Sequence, residues 1–258
     1  MRGRGLNFIV VLILTTCNYR YMELPQDSRR TQNMQKRRTR ILAEARLLLT
    51  QGGLDAINLR ELARVAEVTV PTIYNLVGNK EELLVALFSE VLTEIESRIR
   101  TGHITEPLAM AEAVVLESTA IFAADEDYYR SAFLAVEYLN QSGPHRATVA
   151  RLYNWGERLL TAGFIACKDA WWLHGRIAPT LLGELIMRTF RTSCRAWAFG
   201  QISIDEFRDT ALTDVYITLA ADAVDTFHAR LVKKIVAFNA APRSPRSQRP
   251  PRSQEHTR

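Results

Sequence analysis

The sequence predicts an all-α fold in two unequal parts, a small N-terminal domain of short helices followed by a larger C-terminal helical bundle. Three observations carry that prediction. Apolar residues recur at helical spacing from Ile41 almost to the end of the chain, helix starts crowd together between Thr39 and Glu82, and no stretch alternates in the manner of a half-buried strand. The 258 residues, 47% of them apolar, can bury a sizeable core, and a prior of roughly 150 residues per domain allows two.

Each element has a local reason. From Thr39 onward Ile41, Leu42, Ala45, Leu48 and Leu49 form one apolar stripe, and Gly52-Gly53 can end that helix in a left-handed conformation. Asn58 with Glu61 is a capping-box variant opening a second, short helix that turns Leu62 and Ala63 inward and ends near Val65. Thr69 caps a third, with Pro71 in its first turn, where a missing amide proton costs nothing. Asn79 and Glu82 repeat the capping pattern and open a fourth helix with Leu83, Leu84, Leu87 and Phe88. Beyond Arg100, breaks at Thr105-Glu106-Pro107, Ser142-Gly143-Pro144, Lys168-Asp169, Ala178-Pro179 and Gly200 to Ser203 leave segments of bundle-helix length. From Ala241 the Pro, Arg, Ser and Gln composition has no apolar face to offset its ordering entropy, which predicts a disordered basic tail over 239–258.

Charge and motif content narrow the function. The net charge of +5 favours an anionic partner, though it says nothing about fold. Basic residues concentrate in Arg29, Arg30, Lys36, Arg37, Arg38, Arg40 and Arg46, and again in Arg243, Arg246, Arg249, Arg252 and Arg258. Cys17, Cys167 and Cys194 are too few and too far apart for a disulfide framework, a zinc knuckle or a redox pair. The sequence has no H-E-x-x-H, no G-x-S-x-G and no phosphate-cradling glycine loop. No catalytic residue, cofactor or metal is therefore expected, and the chain is not expected to be an enzyme.

Residues 1–21 imitate a secretory or lipoprotein leader, with Arg2 and Arg4 ahead of the apolar run Leu6 to Leu14 and then Cys17. Thr16 fits poorly before a processed cysteine, and the run is short of the ~20 residues that span a bilayer. Translation from Met22 is the preferred reading, making 1–27 a mis-assigned start or disordered leader.

The segment Asn58 to Lys80, N-L-R-E-L-A-R-V-A-E-V-T-V-P-T-I-Y-N-L-V-G-N-K, has the layout of a helix-turn-helix. Leu62, Ala63, Val68, Ile73 and Val77 would lock its two helices together, leaving Val70, Pro71, Thr72, Tyr74, Asn75 and Leu76 outward on the second of them. This run resembles the TetR family, whose pattern I-A-x-x-A-G-V-S-x-x-T-L-Y-x-x-F-x-x-K is met by Leu62-Ala63, Ala66-Glu67-Val68-Thr69, Thr72-Ile73-Tyr74, Val77 and Lys80. The resemblance covers roughly residues 36–88. It departs at Glu67, where the family has a turn glycine, so that position must take a left-handed backbone at a cost on the order of 1 kcal/mol or reshape the turn. It departs also at Val77, which replaces an aromatic but stays apolar.

The resemblance implies a DNA-binding domain over 28–84 and a helical ligand-binding and dimerisation domain over 85–238. It makes Thr72, Tyr74 and Lys80 phosphate contacts, with a packed aromatic as the alternative for Tyr74. Asn58, Arg38 and Arg40 are added, the last two on a flexible basic arm for which an adjacent minor groove is the alternative to phosphates. Arg60, Val70, Pro71 and Asn75 are the candidates for base edges, since Arg matches guanine, Asn matches adenine and an apolar group meets a thymine methyl. For Arg60 a pairing with Glu61 or a phosphate stays open, and for Asn75 a solvated amide. Dimer helices are expected over 180–199 and 204–234, through Leu181, Leu182, Leu185 and Ile186, then Leu212, Val215, Leu219 and Val224, with ordinary intramolecular core as the alternative and the better reading for any single Leu. Phe122, Tyr129, Phe133, Tyr153, Trp171, Trp172 and Met187 are candidates to line a pocket, with ordinary core packing as the alternative for each.

The implied function is a cytoplasmic homodimer on a palindromic double-stranded DNA operator. It would act as a repressor released by an unidentified small molecule, with no membrane partner. A nucleoid-associated DNA-organising protein without an inducer is the alternative.

Overall fold

The computed structural model of the chain describes residues 29–101, 106–141 and 146–240. The expectations for residues 1–27 and for the tail from residue 241 lie outside the described residues. Among these, ten α-helices follow one another: α1 (Arg29–Gly52), α2 (Leu59–Val65), α3 (Val70–Leu76), α4 (Lys80–Thr101), α5 (Pro107–Ala124), α6 (Glu126–Gln141), α7 (Arg146–Asp169), α8 (Pro179–Ala198), α9 (Ile204–Ala220) and α10 (Asp225–Ala240). A 3-10 turn, Gly53–Ala56, joins α1 to α2.

The first correction concerns α1, which begins at Arg29 rather than at Thr39. Its early turns are rich in Arg, Lys, Gln and Met, good helix formers uninterrupted by Gly or Pro. Their side chains lie mostly in solvent, so no apolar period marks them. The basic run is thus helix, not a flexible arm. Further along, Ile41, Leu42, Ala45 and Leu49 are buried as the stripe predicts. They meet Leu62 and Ala63 of α2, Ile73 of α3 and Leu83, Leu84 and Leu87 of α4 in one hydrophobic cluster.

The short helices owe their limits to caps. Asn58 Oδ1 accepts the Arg60 amide at 2.8 Å, but Glu61 grips Arg64 instead of reaching back, with contacts of 2.9 and 2.6 Å. The box at α2 is therefore half made. At α4 both halves close, Asn79 N to Glu82 Oε2 and Glu82 N to Asn79 Oδ1, each at 2.8 Å. Thr69 caps α3 through the Thr72 amide.

Between α2 and α3, Glu67 adopts φ +50, the left-handed backbone that its place in the motif demands. The Glu67 amide returns to Arg64 O at 3.3 Å and the Val68 amide to Ala63 O at 2.9 Å, which closes the end of α2 as a glycine would. Arg40 braces the turn from α1, its Nη1 2.9 Å from Glu67 Oε2 and its Nη2 3.2 Å from Glu67 O. Glu67→Gly removes a strain of about 1 kcal/mol and gives up an exposed ion pair worth about 0–1 kcal/mol. Urea unfolding should show the variant equal to the parent or up to about 1 kcal/mol more stable. A clear loss would mean that the Arg40 brace outweighs the backbone strain.

In the larger part, α5, α7, α8 and α9 pack around a common core with α4 and α6 against it. α8 crosses α7 closely at Gly183, where a Cβ would stand 2.3 Å from Thr161 Oγ1 of α7. Two helix breaks appear where periodicity shows none. One is at Asp125, whose Oδ1 accepts the Tyr128 amide at 3.3 Å and caps α6. The other lies between α9 and α10, where Asp222 accepts the amides of Gly175 (2.8 Å) and Arg176 (3.1 Å) and Ala223 bridges to Leu173. Trp197 is fully buried at the centre. It stacks on Phe122 with centroids 5.3 Å apart, lies 6.0 Å from the Phe207 ring, and donates its Nε1 to Glu126 at 3.1 Å. No described helix is long and apolar enough to cross a membrane.

Candidate functional site

α2 and α3 form the helix pair on which the candidate DNA contacts stand. Leu62, Ala63 and Ile73 are buried between the helices and α1, while Val68 and Val77 pack half-buried against the same core. That burial fixes which face of α3 is free. Pro71, Tyr74 and Asn75 are exposed there, with Tyr74 at 54%, and Arg60 is exposed on α2. Val70 and Thr72 are half-buried. A tyrosine ring left in solvent on a seven-residue helix gains little from its own domain, and its phenol is placed to meet an external oxygen acceptor.

Four of the other candidates have partners within the chain. Asn58 spends its Oδ1 on the α2 cap, Thr72 Oγ1 lies 2.9 Å from Thr69 Oγ1, and Arg40 holds the Glu67 turn. Lys80 Nζ donates to Leu54 O at 2.9 Å, closing the 3-10 turn, so one of its three donors is committed to the fold. Arg38 is half-buried on α1.

A cavity of about 60 Å³ lies between α4, α5, α6, α7 and α8. Phe122, Phe133, Tyr153 and Met187 of the expected aromatic and sulfur set line it, joined by Phe88, Ile95, Trp155, Phe190, Arg191 and Cys194. Three of that set stand elsewhere. Trp171 is 85% exposed, at φ +62 in the turn that ends α7. Trp172 packs on Phe227 of α10 at 4.9 Å. Tyr129 is one layer behind, its ring 5.3 Å from Phe122 and its hydroxyl 3.3 Å from Glu94. An aromatic composition does not say on which side of a helix each ring falls, and Trp171 carries no period that would place it outside.

The polar group beside this cavity had no motif. Glu137 of α6 is buried and accepts from Tyr153 Oη at 2.6 Å, from Arg191 Nη2 at 3.1 Å and from Arg195. Burial pushes its carboxyl upward, but the hydrogen bonds from Tyr153, Arg195 and Arg191 outweigh that and hold it below the usual carboxylate range. Arg191 also stacks on the Tyr153 ring at 3.9 Å. Burial pushes the Cys194 thiol well above its ordinary value, so it lines the cavity as a neutral, inert group. Arg191 and Arg195 stand one turn apart on α8, on a face that also carries Glu184 and Arg188, so their spacing alone does not mark them as partners of a buried carboxylate.

The small domain is joined to this region by Arg46 of α1. Its guanidinium lies 4.0 Å over the Tyr128 ring and 3.2 Å from Asp125. Tyr128 and Tyr129 meet edge-on at 4.9 Å, and Tyr129 abuts Phe122 of the cavity wall. Packed aromatic contacts thus run without a gap from cavity to α1.

The comparisons agree with this division. Residues 41–87 match the family described as bacterial regulatory proteins, tetR family. A curated relative, the HTH-type transcriptional repressor KstR of Rhodococcus jostii (strain RHA1), is 28% identical over 102 residues, which is 40% of this chain and 48% of that protein. The match therefore spans about half the relative's length. Among solved structures, FadR from Bacillus subtilis in complex with stearoyl-CoA is similar with a TM-score of 0.56 at 16% identity, covering 70% of this chain and 97% of that one. SmeT, the repressor of the Stenotrophomonas maltophilia multidrug efflux pump SmeDEF, gives a TM-score of 0.57 at 19% identity, covering 74% and 92%. At those identities the likeness is one of fold.

Proposed function

We propose that this chain, a TetR-family transcriptional regulator, is a homodimeric repressor that binds a palindromic operator in the cytoplasm and releases it when a small molecule enters the cavity. The observation that carries the reading is the free face of α3, with Pro71, Tyr74 and Asn75 in solvent on a helix whose opposite side is sealed into a core. Tyr74, Thr72, Lys80, Asn58, Arg38 and Arg40 would fix the protein on phosphates. Arg60, Val70, Pro71 and Asn75 would read base edges. The similarity to a transcriptional repressor supports the direction of regulation. A solved neighbour bound to stearoyl-CoA is consistent with a small-molecule effector.

Dimerisation is assigned to a narrower face than the apolar stripes suggest. Leu182, Ile186, Leu212, Val215 and Leu219 are buried in the chain's own core, whereas Leu181 and Leu185 of α8 remain exposed at 55% and 41%. A second copy related by a two-fold axis would cover them.

A footprint on the DNA upstream of its own gene tests the reading. One or two protected sites, each with two half-sites related by a dyad, are expected, and sedimentation at micromolar concentration should give a dimer. Protection spread over many unrelated sites would favour a DNA-organising role instead, and a strict monomer would remove the symmetric operator.

A further inference from the structure

The cavity wall is almost wholly apolar, and its polar members are nearly all spoken for. Ser118 Oγ donates to Val114 O at 2.6 Å, and Tyr153 Oη donates to Glu137. Arg191 is the exception. It lines the cavity, and its Nε is the buried side-chain nitrogen left without a hydrogen-bond partner among the described residues. A buried guanidinium N–H with no acceptor is costly, and folded proteins leave few of them without a reason.

The charge beside the cavity sets what would suit that donor. Two guanidiniums, Arg191 and Arg195, face the single carboxylate of Glu137. Glu137 already takes three donors, so it has little left for a cationic ligand, while the cluster retains an excess positive charge and an open N–H. A carboxylate oxygen answers both, through a charge-assisted hydrogen bond. The remaining wall, with Phe88, Ile95, Phe133 and Met187, suits an aliphatic chain.

We propose that the effector is an aliphatic monocarboxylate whose carboxylate is taken by Arg191 and whose chain lies among the apolar side chains of α4, α6 and α8. This rests on the reading of the cavity as the effector site. At about 60 Å³ the cavity is far smaller than the roughly 300–1,000 Å³ of ligand pockets, so entry of the chain moves its walls. Met187 is placed to yield, being unbranched and filling the space over Gly156, where a Cβ would stand 2.9 Å from its Sδ.

The test is calorimetric titration of the full chain with decanoate, 1-decanol and decyltrimethylammonium. Decanoate should bind at least ten-fold more tightly than decanol, with the ammonium weakest. Arg191→Gln should lower decanoate affinity at least ten-fold and leave decanol unchanged. Arg191→Lys, which keeps the charge opposite Glu137 and guards against a folding defect, should lose decanoate affinity by an intermediate factor. Equal binding of decanoate and decanol by the parent would overturn the proposal. So would unchanged decanoate affinity in Arg191→Gln, or no binding of any of the three. Operator release is read separately by mobility shift. Decanoate that binds but leaves the operator bound defeats the release reading alone, and decanol that releases it as well as decanoate defeats the monocarboxylate alone.

Discussion

Trp197→Ala is expected to destabilise the chain by about 3–5 kcal/mol, the range for removing a fully buried large aromatic. Trp197 has no solvent exposure and packs against both Phe122 and Phe207, whose rings also lie 6.4 Å from each other, with Arg130 4.9 Å above its own ring. Its removal leaves a void shared by α5, α8 and α9. It also strips Glu126 of the indole donor, although Arg130 Nη2 remains 2.7 Å from that carboxylate. The surrounding rings cannot collapse inward without losing their own stacking, so the cost should lie toward the upper end. Trp197→Phe retains most of the apolar volume and gives up the Nε1 hydrogen bond, which should cost about 1–2 kcal/mol. Urea unfolding followed by circular dichroism measures both. A loss below about 1 kcal/mol for the alanine variant would show that this cluster does not hold the larger domain together.

The second large effect separates two kinds of DNA contact within one helix pair. On the proposed reading Asn75, exposed on α3, reads a base edge and Lys80 supplies phosphate charge. Asn75→Ala should cost about 1–3 kcal/mol on the operator, relax the preference at one base pair per half-site and leave random DNA nearly unaffected. Lys80 requires a substitution that respects its bond to Leu54 O. Lys80→Gln retains a donor for that carbonyl while removing the charge. It should weaken operator and random DNA alike and reduce the slope of log affinity against log salt by about one. Fluorescence anisotropy over a range of salt concentrations gives both quantities. Equal losses on both DNAs for Asn75→Ala would end its assignment to a base.

Most of the fold was legible because its signals are local. Asn58, Thr69 and Asn79 each accept a backbone amide from within their own first helical turn, and such caps can be read from a few residues of sequence. At Glu67 the resemblance to a pattern with a turn glycine left two outcomes, a left-handed residue or a reshaped turn, and the structure takes the first. The early part of α1 was not legible, because a helix lying largely in solvent shows no apolar period. The break at Asp125 carried a faint local signal in the acidic run Asp125-Glu126-Asp127, which suits a helix N-terminus.

What the sequence determined by itself is the caps and buried positions of α2 and α3 and the exposure of Pro71, Tyr74 and Asn75, because these follow from caps and periods a few residues long; Val70, Thr72 and Leu76, also expected outward, are half-buried. What only the tertiary structure decided is the meeting of distant groups. The α9–α10 break is made by Asp222 holding the loop at Gly175 and Arg176. The cavity takes Phe122 and Met187 but leaves Trp171 in solvent, and Glu137 gathers Arg191 and Arg195 from a helix more than fifty positions away. No short-range pattern encodes such meetings. They arise when five helices bury their apolar surfaces together, and the few polar groups carried inside must find partners from whichever helix the packing has brought alongside.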